Sequence, residues 1–182
     1  MTPRDRVEVE IEAAAWSAAL PNAENLVRQA TQVALGGRRD GAVAILLTDD
    51  DAVRDLNARF RGVDAPTNVL AFPAGPNAEA APGYMHLGDI ALAFGVCEYE
   101  ALDQGKALAD HLRHLVVHGV LHLLGYDHQD DAQATAMESR ERELLADLGV
   151  PDPYARERAT DAGANEGLGG HPDVAKHAVR HG

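Results

Sequence analysis

A chain of 182 residues suits one domain with a sizeable core. Its 46% hydrophobic and 25% charged residues are an ordinary globular balance, with no run near the ~18 apolar residues of a membrane span. Sixteen basic against twenty-nine acidic residues leave a net charge of −13, so the average field repels nucleic acid and any RNA contact has to be local. The single cysteine, Cys97, excludes an intramolecular disulfide, and the charged start MTPRDRVEVE has no signal-peptide core; both predict a cytoplasmic protein in which Cys97 is a small packing residue.

In chain order, Val7, Val9 and Ile11 alternate with Glu8, Glu10 and Glu12, the period of a strand with one wet face. Leu26, Val27, Ala30, Val33 and Ala34 recur at helical spacing between Pro21 and Leu35, and GGRRDG ends that helix. Ala42 to Leu47 is a continuous apolar run of strand length. It feeds a helix capped by Asp49 or Asp50, with Val53, Leu56 and Phe60 turned inward. TNVLAFP, stopped by Pro73, predicts a third strand near an edge, and Tyr84 to Phe94 a fourth.

A helix then runs from Leu108 to about Leu124 and another from about Asp131 to Leu148, closed by Gly149 and Pro151. Strands and helices mix without strict alternation, which predicts one α+β domain over residues 1–150 with a small mixed four-stranded sheet and packed helices. Residues 151–182 are rich in Ala, Gly and polar side chains, a composition that predicts a disordered tail in which His171, His177 and His181 form no site.

The chemistry concentrates in HGVLHLLGYDH, residues 118–128. Positions four apart share a helix face, so His118 and His122 can direct ring nitrogens at one point. Gly125 lets the helix stop and the chain turn back, so that His128 can reach the same point. Three imidazoles with a fourth position open for water or substrate make a catalytic Zn²⁺ site.

The spacing H-x-x-x-H-x-x-G-x-x-H matches the long zinc-protease motif, but Gly119 stands where those enzymes carry the general-base glutamate, which argues against peptide hydrolysis. A mid-helix glycine costs up to ~1 kcal/mol relative to alanine, which suggests that its missing side chain leaves room beside the ion. His111 and His114, on roughly the same face, are expected to face solvent or to stand behind the ligands.

The segments LNARFRGVDAPTNVLAFP, HLGDIAL and HLVVHGVLHLLGYDHQDD, with Met137 and Glu141 of the next helix, resemble the YbeY family of bacterial rRNA maturation factors. The resemblance spans Val7 to Gly149 and implies a zincin-like fold and a zinc-dependent endoribonuclease of the bacterial cytoplasm. That enzyme would act on single-stranded RNA, in maturation of the 16S rRNA 3′ end and in late-stage 70S ribosome quality control. It further implies one Zn²⁺ per chain on His118, His122 and His128, Arg61 as the catalytic arginine on RNA, and ribosomal particles or ribosomal proteins as partners. Ala71 stands where many members carry serine.

On physical grounds the reading is metal-assisted phosphodiester cleavage, with the Arg61 fork clamping a non-bridging oxygen. Arg54 either extends a basic strip or is solvated, and Arg59 points elsewhere. Asp127 either handles a proton or caps a turn. Asp89 either accepts from a ligand ring or secures a strand end. A zinc hydrolase of another substrate and a non-catalytic assembly factor with a structural zinc remain alternatives.

Overall fold

The computed structural model describes residues 6–157. In chain order its elements are β1 (Val7–Ile11), α1 (Ala14–Ala19), α2 (Ala23–Leu35), β2 (Gly41–Thr48), α3 (Asp50–Arg61), β3 (Val69–Pro73), β4 (Glu79–Ala81), β5 (Tyr84–Ala93), α4 (Phe94–Asp103), α5 (Leu108–Leu123) and α6 (Asp131–Asp147). Among the described residues no helix is long and apolar enough to cross a membrane.

The sheet runs β1-β2-β5-β3, with β1, β2 and β5 parallel and β3 antiparallel on the edge. Ile45 lies opposite Ile90, and Ile90 opposite Ala71. It has five strands rather than four, because the expected loop after Pro73 folds back through Pro82 and Gly83 to set Glu79 opposite Met85. Three residues of Glu and Ala give β4 no apolar alternation by which a sequence could declare it.

Alternation along the strands divides the core in two. Val43, Ile45, Val69, Ala71, Ile90 and Leu92 face the larger layer, with α2, α5 and α6. Leu70, Ala91 and Ala93 face the smaller one, closed by Val53 of α3. The uninterrupted apolar run of β2 is what a strand covered on both faces requires.

Asp49 caps α3, its Oδ1 accepting from Ala52 N at 2.8 Å, while Asp50 Oδ1 accepts from Val96 N at 3.1 Å and ties α3 to α4. Val53 is fully buried as expected. Phe60, expected inward, is 60% exposed and leans on Phe72 with ring centroids 5.5 Å apart. Its position lies at the end of α3, beyond the cover that the smaller layer offers.

Two helices are additions to the expected set. Short α1 exists to bury Trp16, whose Nε1 donates to the Thr48 carbonyl at 2.9 Å and whose ring meets Phe94 edge-on. α4 follows β5 without a break, so the apolar residues of strand and helix merge into one run.

Helix α5 is the spine of the molecule. From Leu112 to Leu123 every residue except Arg113 is buried, so its histidines lie inside the protein, and none of them faces solvent. The sequence places the domain end at residue 150, yet Tyr154 beyond it is buried, because its aromatic side chain finds cover beside α6 and α5. The remainder of the expected tail, with His171, His177 and His181, lies outside the described residues.

Candidate metal centre

Helix α5 projects His118 and His122 from one face, and their Nε2 atoms meet at 3.2 Å. The helix ends where the sequence says it should: Gly125 adopts φ 96°, its N–H bonds the His122 carbonyl at 3.0 Å, and Tyr126 N bonds the Leu121 carbonyl at 3.0 Å. This left-handed cap turns the chain back so that His128 returns over the same point. The His128 ring centroid lies 6.0 Å from that of His118 and 5.3 Å from that of His122. One nitrogen from each ring falls within 4.8 Å of the others, so the three together could hold a metal ion.

Three features of the site fit such an ion. Two nitrogens bound at ~2.0–2.1 Å in a tetrahedron stand ~3.3–3.4 Å apart, close to the observed His118–His122 separation. The Nε2 of His128 is buried without a hydrogen-bond partner, which is costly for a polar atom unless it has another use. The third feature is Glu141, wholly buried on α6, whose Oε1 lies 2.5 Å from His118 Nδ1. A carboxylate has only acceptors, so His118 donates from Nδ1 and its Nε2 carries the lone pair a metal needs.

Glu141 is also bound by His114 Nε2 at 3.0 Å and by the Tyr154 hydroxyl at 2.5 Å, both on Oε2. Burial would push its carboxyl up. The His118 and His114 rings beside it, and the hydrogen bonds they donate, outweigh that and hold it below the ordinary carboxylate range. Burial pushes His114 below the usual imidazole range, and Glu141 only partly opposes it.

A second buried carboxylate sits one turn towards the start of α5. Glu100 of α4 accepts from His111 Nε2 at 2.7 Å and from Asn68 Nδ2 at 3.0 and 3.2 Å. The neighbouring Cys97 thiol donates to the Asn68 carbonyl at 3.6 Å, and burial pushes its pKa well above the usual thiol value, so it is a packing residue as expected.

Gly119 lies between the two ligand positions of α5. A Cβ there would stand 3.0 Å from Ile90 Cδ1 and 3.3 Å from Ile90 Cγ2. The space beneath it is therefore filled by β5, contrary to the expectation of room beside the ion. The glycine serves the close approach of helix and sheet.

Arg61, at the end of α3, lies on the edge strand: its Nη2 donates to the Ala71 carbonyl at 3.3 Å and its guanidinium stands 5.9 Å from the centre of the Phe72 ring. Partial burial lowers its pKa, but a guanidinium stays charged. Ala71, opposite Ile90, turns its side chain into the larger core layer, where a methyl group is at home. Arg54 makes an exposed pair with Asp64 at 2.8 Å, and Arg59 pairs with Asp55.

Asp89 does not hold a ligand ring. It lies opposite Phe72 while its neighbour Ile90 faces α5, so alternation along β5 sends its carboxylate to the other face, where it pairs with His86 at 3.3 Å. Asp127 caps its own turn, Oδ1 accepting from His128 N at 2.7 Å. The residues that sequence reasoning left without a role are Glu141, Glu100 and Tyr154. The partial signal for the first was its place, with Met137, in the family resemblance.

Fold and site together define a single-domain α+β protein built round a candidate three-histidine metal centre. The family model described as Endoribonuclease YbeY matches residues 6–149, and the chain belongs to the YbeY family. An Endoribonuclease YbeY of Paramagnetospirillum magneticum is 49% identical over 164 residues, covering 86% of this chain and all of that protein. Another of Maricaulis maris is 52% identical over 154 residues, covering 83% of this chain and 92% of that one. Among solved structures, the solution structure of TM1509 from Thermotoga maritima shares the fold with a TM-score of 0.53 at 23% identity, over 86% of this chain and 95% of that one.

Proposed function

We propose that this protein is a zinc-dependent endoribonuclease that cleaves single-stranded RNA, with His118, His122 and His128 as the metal ligands and Arg61 as the catalytic arginine. The observation that carries the reading is the convergence of three ring nitrogens within 4.8 Å in a chain of the YbeY family. In the cell this activity serves 16S rRNA 3′-end maturation and late-stage 70S ribosome quality control in the cytoplasm, with ribosomal particles or ribosomal proteins as partners. A net charge of −13 repels free RNA, so on this reading the attraction comes from basic ribosomal proteins.

A zinc ion held by the three rings supplies Lewis acidity towards a phosphoryl oxygen and makes water a stronger acid. The chain does the rest. Glu141 keeps the His118 ring turned with its Nε2 outward. Arg61 stands at the edge of the sheet, bonded to the Ala71 carbonyl and against the Phe72 ring. Its five N–H donors can hold the Ala71 carbonyl and a non-bridging phosphate oxygen together. Gly119 offers no carboxylate to activate water for peptide hydrolysis.

The test is a nuclease assay of the full chain with stoichiometric Zn²⁺ on unstructured and duplex RNA. Cleavage of the unstructured strand alone, lost in His118→Ala and lowered on the order of 10²-fold in Arg61→Ala with zinc retained, is the expected result. Zinc-loaded protein without turnover on any RNA would instead point to an assembly factor with a structural ion.

A further inference from the structure

Beyond residue 149, where the family match ends, the chain returns to the site. Lys106 Nζ donates to the Pro153 carbonyl at 3.2 Å, and Arg156 Nη1 donates to the Gln104 carbonyl at 2.8 Å. These two bonds strap residues 153–156 to the turn between α4 and α5. Asp152 Oδ1 accepts from Tyr154 N at 2.8 Å, shaping the segment so that the tyrosine points inward. Its ring is 9% exposed and meets His114 edge-on at 5.6 Å. Its hydroxyl reaches Glu141 Oε2 at 2.5 Å, on the same carboxylate whose other oxygen holds His118.

A glutamate on one hydrogen bond can still turn about its last side-chain torsions, and the ring it holds turns with it. Donors on both oxygens remove that freedom. Here Oε1 receives His118, and Oε2 receives His114 and Tyr154.

We propose that Tyr154 and Glu141 are positioning residues for the metal centre. The strap-borne hydroxyl joins His114 in locking the carboxylate on Oε2, and the carboxylate commits His118 to the Nδ1–H form whose Nε2 meets His122. This rests on the reading of the three rings as a metal site. It makes residues 150–156 part of the working domain, and it assigns that segment a role in metal affinity.

The test uses the full-length chain with ¹⁵N-labelled histidines and the variants Glu141→Gln, which keeps size but removes the charge and one acceptor oxygen, and Tyr154→Phe, which removes only the hydroxyl. In metal-free protein the His118 ring should be the Nδ1–H tautomer in wild type and a mixture of tautomers in Glu141→Gln. Chelator competition should show Zn²⁺ bound on the order of 10–100-fold more weakly by Glu141→Gln. For Tyr154→Phe the loss should be about fivefold, with a changed Co²⁺ absorption spectrum.

If Glu141→Gln does not fold, Tyr154→Phe carries the test alone. Folded variants with zinc affinity within about twofold of wild type and an unchanged His118 tautomer overturn the proposal, and leave Tyr154 as a packing residue. A wild type that takes up no ion overturns the metal reading itself, and is told apart because the failure precedes any substitution.

Discussion

Helix α5 meets two buried carboxylates, and they do different work. Glu100 joins His111 to Asn68, so that α4, α5 and the residue before β3 are tied by one polar knot. Glu141 joins His114, His118 and Tyr154, and its chain of bonds does not stop there: the far nitrogen of His118 continues to His122. The chemistry of the two contacts is the same. What separates a structural brace from a site is the atom on the other side of the ring. His118 carries a second nitrogen that lies 3.2 Å from His122 Nε2, within the group of three converging rings, and His111 is not part of that group.

The contrast can be broken most severely at His128. It comes from a half-buried turn rather than from the core, so His128→Ala should remove stoichiometric zinc and RNA cleavage together. The urea midpoint of the metal-free protein should stay close to wild type. Zinc retained at one equivalent, measured on the dialysed variant by elemental analysis, would refute the three-ring site.

Glu100→Ala attacks the brace instead. It strands the donors of His111 and Asn68 inside the protein, at ~1–3 kcal/mol for each buried group, and should lower unfolding free energy by about 2–6 kcal/mol. The folded fraction should still bind one zinc with unchanged affinity by chelator competition. Weakened zinc binding there would mean that the two carboxylates form one system.

The smallest effect belongs to Gly119→Ala. Overpacking costs about 1–3 kcal/mol, and the better helix propensity of alanine returns up to ~1 kcal/mol. A net loss near 1 kcal/mol is expected. Ile90→Val removes the Cδ1 that the new methyl would press upon, so a double-mutant cycle read by denaturation should show the pair coupled by at least ~0.5 kcal/mol. Simple additivity would mean that helix and sheet have slack.

The histidines were legible because their geometry is local. Four residues along a helix and a glycine turn fix where three rings go, and no distant contact is needed. The cap at Asp49 and the core strands β2 and β3 were legible for the same reason. Glu141 is 23 residues from His118, Glu100 is 11 from His111, and Tyr154 is 13 from Glu141, so these pairings exist only once α4, α6 and the final segment have docked. Asp89 stayed open between two roles because adjacency to an apolar strand says nothing about which face a side chain takes. A shift of one residue along β5 decides it. Gly119 misled because an absent side chain leaves either a space or a close contact, and only Ile90 tells which. α4 was hidden since its apolar residues continue those of β5 without a turn signal between them.

Helix α5 is clamped along its length. Glu100 holds its beginning through His111, and Ile90 touches its middle under Gly119. Leu123 at its end comes so near Gly88 that a Cβ there would stand 2.7 Å from Leu123 Cδ2. Two of the three rings therefore ride on a shaft that cannot bend without opening the core. The third hangs on the short turn from Gly125 to His128. On the proposed metal reading, entry and escape of an ion would follow the opening of that turn rather than any bending of the helix.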